Sequence, residues 1–136
     1  MKRGVNPVVK IFLVAPGGRD ESFCGPGMIK LLLAIKQIGN VRQACEIMKM
    51  SYSKGWKLLK GLEAWLDFPV VVRHQGGKGG GEAYLTEEGC AFLEKHLVFL
   101  QESQEAVQHI FERYYGSGDQ PEYAEFAQNG DNSQVP

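Results

Sequence analysis

The chain has 136 residues, 43% of them hydrophobic and 23% charged, which allows one globular domain with a modest core and an extension but not two full domains. No apolar run approaches the ~20 residues that cross a bilayer, and the N-terminus MKRGVNP has no signal-type apolar stretch, so a cytoplasmic, non-membrane protein is the default expectation. The formal net charge of −1 is unevenly spread, because residues 30–78 carry nine basic and three acidic side chains whereas residues 79–136 carry two basic and eleven acidic ones, and the basic stretch favours a polyanionic partner.

The first elements are a strand and a helix. The β-branched and aromatic run at residues 8–15 is ended by Pro16 and two glycines, which predicts a strand followed by a turn. Pro26 suits the first turn of a helix, where its missing N–H is not needed. Apolar residues then recur with helical spacing from Met28 to Ile38, and Gly39 supplies a stop.

Residues 40–66 contain two short amphipathic segments with a three-residue junction at residues 49–51. Asn40 and Gln43 form a capping-box-like pair at the start of the first segment. The second segment, residues 52–66, is apolar on one side, and a winding of 100° per residue places its lysines on the other. This pattern predicts a helix-turn-helix, although three lysines on a helix can also be a plain solvated face. The lysines are Lys54, Lys57 and Lys60.

The stretch VRHQGGKGGGEAYL predicts a hairpin, or wing, over residues 70–85. Its glycines leave successive backbone N–H groups unshielded around Lys78, a combination that is able to lie along phosphates. A nucleotide-binding loop fits less well, since Lys78 is followed by Gly79 rather than Ser or Thr and the loop is expected between two strands. A flexible hairpin without a ligand is a further interpretation.

The final helix is predicted over residues 86–115, beginning at Thr86 with two glutamates in its first turn. Apolar residues follow a 4-3 spacing that only Gln104 interrupts, which is typical of a coiled-coil seam. A helix roughly 43 Å long is too long for one small domain to cover, so a second copy is expected to bury the seam. Residues 116–136 are acidic and predicted to be disordered. The predicted dimer contacts are Leu93, Leu97, Leu100, Val107, Phe111 and Tyr114.

No residue pattern predicts a metal site, a cofactor or catalysis. The three cysteines are widely spaced and never form a CxxC pair, and the three histidines share no metal-ligand spacing. No Ser, Cys and His grouping has the spacing of a nucleophilic site. The sequence therefore favours a protein that is not an enzyme.

Several short motifs together resemble the N-terminal DNA-binding domain of ModE-type molybdate-responsive regulators. They lie at Phe23–Gly27, Gly39–Ala44, Met50–Trp56, Gly76–Gly81 and Leu85–Gly89. The resemblance implies a bacterial or archaeal transcription regulator with a LysR-like winged helix-turn-helix that dimerises through its long terminal helix. Lys49 stands where the family usually has a turn glycine, so its backbone is expected to be left-handed. Since the family's β-barrel oxyanion-binding domains have no counterpart here, molybdate binding is not expected within this chain.

The fold class expected is mainly α with a small β wing: a winged helix-turn-helix domain over residues 1–85 with a long C-terminal dimerisation helix. The predicted function is that of a homodimeric, sequence-specific regulator bound to double-stranded DNA. Two alternatives stay open, a protein-interaction or dimerisation module on the same scaffold and an oxyanion or nucleotide binder using the glycine-rich turn. The residues predicted to contact DNA are Arg42, Gln43, Ser51, Tyr52, Ser53, Lys54, Lys57, Lys60, Arg73, Gly76, Gly77, Lys78, Gly79, Gly80 and Gly81.

Overall fold

The computed structural model describes residues 1–17, 21–74 and 81–116. They are mainly helical with two small antiparallel sheets, as the sequence predicts. None of the helices in these ranges has the combination of length and hydropathy that a membrane span requires. The elements in chain order are β1 (Leu13–Val14), β2 (Ser22–Cys24), α1 (Pro26–Ile38), α2 (Val41–Ile47), α3 (Tyr52–Leu66), β3 (Val71–His74), β4 (Glu82–Leu85) and α4 (Glu87–Tyr115).

The chain divides into two compact units. The larger unit, Lys10–Val98, contains every element from β1 to β4 and the first part of α4. The smaller unit combines Met1–Val9 with the chain from Phe99 onward, which includes the rest of α4.

The N-terminal strand is much shorter than the predicted residues 8–15. Only Leu13 and Val14 are in β1, which pairs antiparallel with β2, a strand that the sequence did not suggest. The prediction was wrong because residues up to Val9 belong to the smaller unit, where the Val9 N–H donates to a side chain rather than to a neighbouring strand. The glycines and Pro26 that follow β2 indicate a break in the chain, and a strand of only three residues gives too short a pattern to be predicted beside them.

The helix-turn-helix is formed by α2 and α3, joined by a left-handed residue. Asn40 caps α2, because its Oδ1 accepts from the Gln43 N–H at 2.9 Å. Lys49 has φ = 57°, as expected for a position where a glycine is usual. A Cβ at Gly55 would overlap the Cys45 sulfur, so only a glycine lets α3 approach α2 this closely.

The core of the larger unit lies between α1, α3 and the start of α4. Its fully buried members include Leu31 and Leu32 of α1 and Leu59 and Leu62 of α3. Leu93, which was predicted at a dimer interface, is only 1% exposed within this core. That prediction is corrected. The first turns of α4 pack on the core of their own unit, so Leu93 is not available to a second copy.

The two wing strands form a regular antiparallel pair from Val71 opposite Leu85 to His74 opposite Glu82. The return strand is fixed to the turn between α1 and α2, since the Ala83 N–H donates to the Gly39 carbonyl at 2.9 Å. The wing tip, with its predicted contacts Gly76, Gly77, Lys78, Gly79 and Gly80, lies outside the described residues.

Helix α4 begins and ends where the sequence predicts. The Thr86 hydroxyl accepts from the Gly89 N–H at 2.8 Å and donates to the Pro69 carbonyl at 2.6 Å, which ties the helix start to the segment that leads into β3. The predicted disorder of the acidic tail concerns residues that, after Gly116, lie outside the described part of the chain.

Gln104, the polar interruption of the predicted seam, holds the N-terminal segment in the smaller unit. Its Oε1 accepts from the Val9 N–H at 2.9 Å, and its Nε2 donates to the Pro7 carbonyl at 2.7 Å. Gln108 adds a bond to the Asn6 side chain at 3.2 Å. One glutamine amide thus pairs with two backbone groups as a β-strand neighbour would.

Candidate nucleic-acid interface

The outer face of α3 is built from small and cationic residues. Gly55, Leu59 and Leu62 are buried, which turns the opposite face of the helix outward. Lys54 and Lys57 are exposed on that face, and in the described part of the chain neither of them forms an ion pair. The face therefore offers two uncompensated positive charges.

The N-terminus of α3 is fixed by its own capping residue. The Ser51 hydroxyl accepts from the Lys54 N–H at 3.1 Å, which satisfies one of the unpaired donors of the first turn. Ser53 follows in the first turn and is exposed. Ser51 is thus a capping residue as well as a predicted DNA contact.

Cations and aromatic rings alternate along the side of α3 that faces β3, which we call the wing side. The Arg42 guanidinium lies 4.2 Å from the centre of the Tyr52 ring. Arg73, on β3, donates from Nη1 to the Tyr52 hydroxyl at 2.6 Å, and its guanidinium lies 5.0 Å from the centre of the Trp56 ring. The wing strand and the helix-turn-helix therefore share one cationic surface, joined by a hydrogen bond and by cation–π contacts.

Lys60 differs from the other two lysines of α3. Its Nζ lies 3.2 Å from Glu63 Oε1 and 5.7 Å from the centre of the Trp56 ring. Glu63 is occupied on its other oxygen, where Oε2 accepts from the backbone N–H groups of Val70 at 2.7 Å and Val71 at 3.3 Å. Glu63 thus fixes the start of the wing and partly offsets the charge of Lys60.

Two cavities flank α3. On the wing side, a cavity of about 330 Å³ is lined by Trp56, Lys60, Val71 and Arg73; we call it the Trp56 cavity. On the other side, Trp65 stacks on Phe23 of β2 with ring centres 5.5 Å apart. The second cavity, also of about 330 Å³, is lined by Ala15, Glu21, Ser22, Phe23, Lys57, Leu58, Gly61 and Trp65.

The remaining predicted contacts lie around this surface. Arg42 and Gln43 are exposed near the start of α2. Gly81 lies at the base of the wing, where its carbonyl accepts from the Asn40 Nδ2 at 3.0 Å. Asn40 therefore caps α2 with its oxygen and holds the wing with its nitrogen. Sequence reasoning found the cap but missed the second role, which depends on a residue 41 positions away.

The titratable groups next to the interface do not neutralise it. Burial raises the pKa of the Cys45 thiol, an effect that the nearby Arg42 guanidinium partly opposes, so this thiol stays uncharged at neutral pH. Within residues 1–17, 21–74 and 81–116, no group of three or more His, Cys, Asp or Glu side chains is arranged to hold a metal ion. The chemistry that the surface offers is hydrogen-bond donation and positive charge.

Comparisons with known proteins agree with this arrangement. Residues 27–90 match the family model described as bacterial regulatory helix-turn-helix protein, lysR family. The chain is 32% identical over 90 residues to the transcriptional regulator ModE of Haemophilus influenzae, a match that covers 66% of this chain and 35% of that protein. It is 31% identical over 85 residues to the molybdenum transport protein ModE of Azotobacter vinelandii, covering 62% and 32%.

A solved structure shows the same fold. The LysR family transcriptional regulator VV2_1132 superposes with a TM-score of 0.52 at 18% identity, covering 75% of this chain and 33% of that one. The chain spans about a third of the length of the curated relatives it matches. These matches agree with the expectation of a protein that is not an enzyme. Residues 27–90 thus resemble a LysR-family helix-turn-helix domain, in a stretch of chain similar in sequence to ModE regulators.

Proposed function

We propose that the protein is a sequence-specific, DNA-binding transcriptional regulator that acts as a homodimer. The observation that carries this proposal is the continuous cationic surface of the outer face and wing side of α3. The α3 lysines Lys54 and Lys57 are uncompensated there, and Arg42 and Arg73 are held against aromatic rings at its edge. A duplex backbone is a polyanion of regular spacing that matches such a surface.

In this proposal α3 enters the major groove with its N-terminal part towards the bases. Tyr52 and Ser53 lie in the first turn, where side chains of a recognition helix reach base edges. Ammonium groups further along the helix meet phosphates, which fixes the register of the protein on the duplex but carries no sequence information. Arg42 and Gln43, at the start of α2, flank the same groove.

The wing is proposed to follow the adjacent backbone. Its base is held rigidly, because the Asn40 side chain and the Gly39 carbonyl bind the return strand. The proposed contacts of Lys78 and the glycines rest on their composition alone. Unshielded backbone N–H groups beside a single cation suit a phosphate chain.

The homodimer is proposed to form on α4. Leu97 is 37% exposed and Ile110 is 49% exposed, although both are large and apolar. Helical winding places Ile110 roughly 120° around the axis from Gln104, whose side is occupied by the N-terminal segment. This stripe of α4 is therefore proposed as the surface that a second copy buries.

The sequence of α4 suits pairing with a copy of itself in antiparallel orientation. A two-fold axis between Ser103 and Gln104 would set Leu100 of one copy against Val107 of the other. The same axis sets Leu97 against Ile110. These four apolar side chains then each meet an apolar partner, as suits an interface between identical subunits.

The names of the matched relatives support the proposal. The Haemophilus influenzae and Escherichia coli relatives are named as transcriptional regulators, and the latter is described as DNA-binding. Since this chain covers only about a third of each, their whole activities do not transfer.

Selection from a random pool of duplexes tests the proposal. A dimer with one recognition helix per subunit should enrich two inverted half-sites, with centres separated by a multiple of about 10–10.5 base pairs. Absence of any enriched sequence would contradict sequence-specific binding. A dimer that does not retain duplex at low salt would favour the interaction-module alternative, and thermal stabilisation by phosphate, ATP or molybdate without DNA binding would favour the oxyanion alternative.

A further inference from the structure

We propose that Arg73 and Lys60 together hold one backbone phosphate of the duplex at the Trp56 cavity, and that the Tyr52 hydroxyl is the positioning group for Arg73. This inference rests on the proposed function and deepens it. It assigns the wing strand itself, rather than only the wing tip, to the interface. It also predicts that two cations on different elements share a single ligand group.

The cavity has the composition of an anion site. Among the described residues, its lining supplies two positive charges, one indole ring and one aliphatic side chain, and no carboxylate. The nearest acid, Glu63, has one oxygen committed to two backbone N–H groups and only the other on Lys60. The Lys60 side chain is 70% exposed, so its ammonium is free to turn from Glu63 towards an incoming phosphate.

Arg73 is held ready for such a ligand. A guanidinium has five N–H donors in a planar fork that matches phosphate oxygens. Among the described residues only one acceptor for them is found, the Tyr52 hydroxyl at 2.6 Å. The indole of Trp56 supports the guanidinium at 5.0 Å between centres. Because the fork is already oriented, little rotamer entropy remains to be lost when a phosphate binds.

The location suits a backbone phosphate better than a free anion. The cavity lies between α3, proposed for the major groove, and β3, which leads to the wing proposed for the backbone. In the proposed binding mode, the strand of the duplex that borders the groove passes between these two elements. A cavity open on this side can receive one of its phosphates while the neighbouring nucleotides continue across the surface.

Salt dependence of duplex binding tests whether the phosphate is shared. The variants are Lys60→Gln, Arg73→Gln and the double variant, measured on one selected duplex across a salt series. Each B-DNA phosphate that the protein neutralises contributes about 0.9 to the slope of log K against log salt concentration. A phosphate that both cations share counts once, so the double variant should lose about 0.9 per subunit, or about 1.8 for the dimer, whereas two separate phosphates would give about 3.6 for the dimer. Circular dichroism checks that all variants keep the wild-type fold.

Tyr52→Phe tests the positioning role. This variant keeps the ring under Arg42 but removes the acceptor of Arg73. Affinity should fall by roughly 3–10-fold, in the range of one lost hydrogen bond, with the salt slope unchanged because no charge is lost. In the Arg73→Gln background the same change should have no further effect. An equal loss in both backgrounds would overturn the positioning role.

The remaining outcomes separate this inference from the proposed function. If the wild type binds duplex and the double variant keeps the full slope, or loses about 3.6 for the dimer, the shared phosphate site is wrong while DNA binding stands. If the wild type binds no duplex, both the proposed function and the shared phosphate site are wrong. A Trp65→Phe variant leaves Trp56 as the single tryptophan, and its fluorescence should respond to duplex. A saturable response to inorganic phosphate or poly-glutamate but not to duplex would assign the cavity to a different ligand and overturn the inference.

Discussion

Two helices of this protein differ in how their apolar side chains are covered. Helix α3 buries its apolar face within its own unit and turns lysines outward. Helix α4, from Phe99 onward, keeps large apolar side chains such as Ile110 half exposed. A helix whose apolar face is already covered is free to use its surface for a polar ligand, whereas exposed apolar side chains are best covered by another polypeptide.

The charges of the two helices follow the same division. Exposed lysines dominate α3, whereas the part of α4 from Phe99 carries three glutamates and one basic residue, Arg113. A polyanion is attracted to the first surface and repelled by the second. The comparison therefore separates the surface proposed for DNA from the surface proposed for a second subunit.

The largest effect is expected from a charge in the proposed dimer stripe. Leu100→Asp would place a carboxylate where it must be buried without a partner, which should weaken the dimer by about 100-fold or more. Sedimentation should then show a monomer, and circular dichroism should show unchanged helix content. His109→Asp adds the same charge on the side of α4 opposite Leu100, at an exposed position, and should leave the dimer intact. Equal behaviour of the two variants would contradict the assignment of the stripe.

A glycine-to-alanine pair tests the burial of α3. Gly55→Ala should lower the free energy of unfolding by about 1–3 kcal/mol, because the new methyl group overlaps the Cys45 sulfur. Gly61→Ala is the matched change at a position with open space, and it should stabilise the helix by up to about 1 kcal/mol. Urea unfolding measures both. The Gly55→Ala loss should shrink in a Cys45→Ala background, and a loss of unchanged size there would disprove the overlap.

Gln104→Ala tests what occupies the other side of α4. The change removes both hydrogen bonds to the N-terminal segment and should cost roughly 1–2 kcal/mol of local stability. Hydrogen exchange at the Val9 amide should accelerate by about tenfold, since that N–H loses its acceptor. Gln101→Ala, which removes only an exposed contact with Glu105, serves as the control. Unchanged hydrogen exchange at the Val9 amide would show that Gln104 does not hold the N-terminal segment.

The smallest effect concerns pH. Burial lowers the pKa of His96, which is 4% exposed, below the value of about 6.5 that it has in the unfolded chain. The unfolded state therefore binds a proton first, so stability is complete above about pH 6.5 and falls as pH drops through the folded-state pKa. His96→Gln should reduce this acid-side loss in calorimetry, whereas the exposed His109→Gln should not. Equal pH profiles for wild type and His96→Gln would contradict the burial effect.

Local signals in the sequence were sufficient for most of the fold. Asn40 with Gln43 and Thr86 with its glutamates mark helix starts, because caps act over three or four residues. The left-handed turn at Lys49 and the close approach at Gly55 also follow from single positions whose residue type is unusual there. Periodicity then fixed the apolar faces of α3 and α4.

The missing parts depend on residues far apart in the chain. The Arg73–Tyr52 hydrogen bond joins positions 21 residues apart, and the Gln104–Val9 bond joins positions 95 residues apart. Patterns within a few residues of each position do not predict which distant residue it will contact. Leu93 was misassigned for a related reason, since a regular 4-3 spacing does not tell where a helix stops covering its own core and begins to face a partner.

The salt dependence of duplex binding by a Lys54→Ala/Lys57→Ala variant tests the central claim most directly. Both lysines lie on the outer face of α3, so their loss should lower the slope of log K against log salt concentration by about 1.8 per subunit, or about 3.6 for the dimer, and weaken binding to all duplexes. Lys30→Ala/Lys36→Ala removes two exposed lysines from α1 and should leave slope and affinity unchanged. Equal effects of the two variants, or no effect of the first, would contradict a DNA interface on α3.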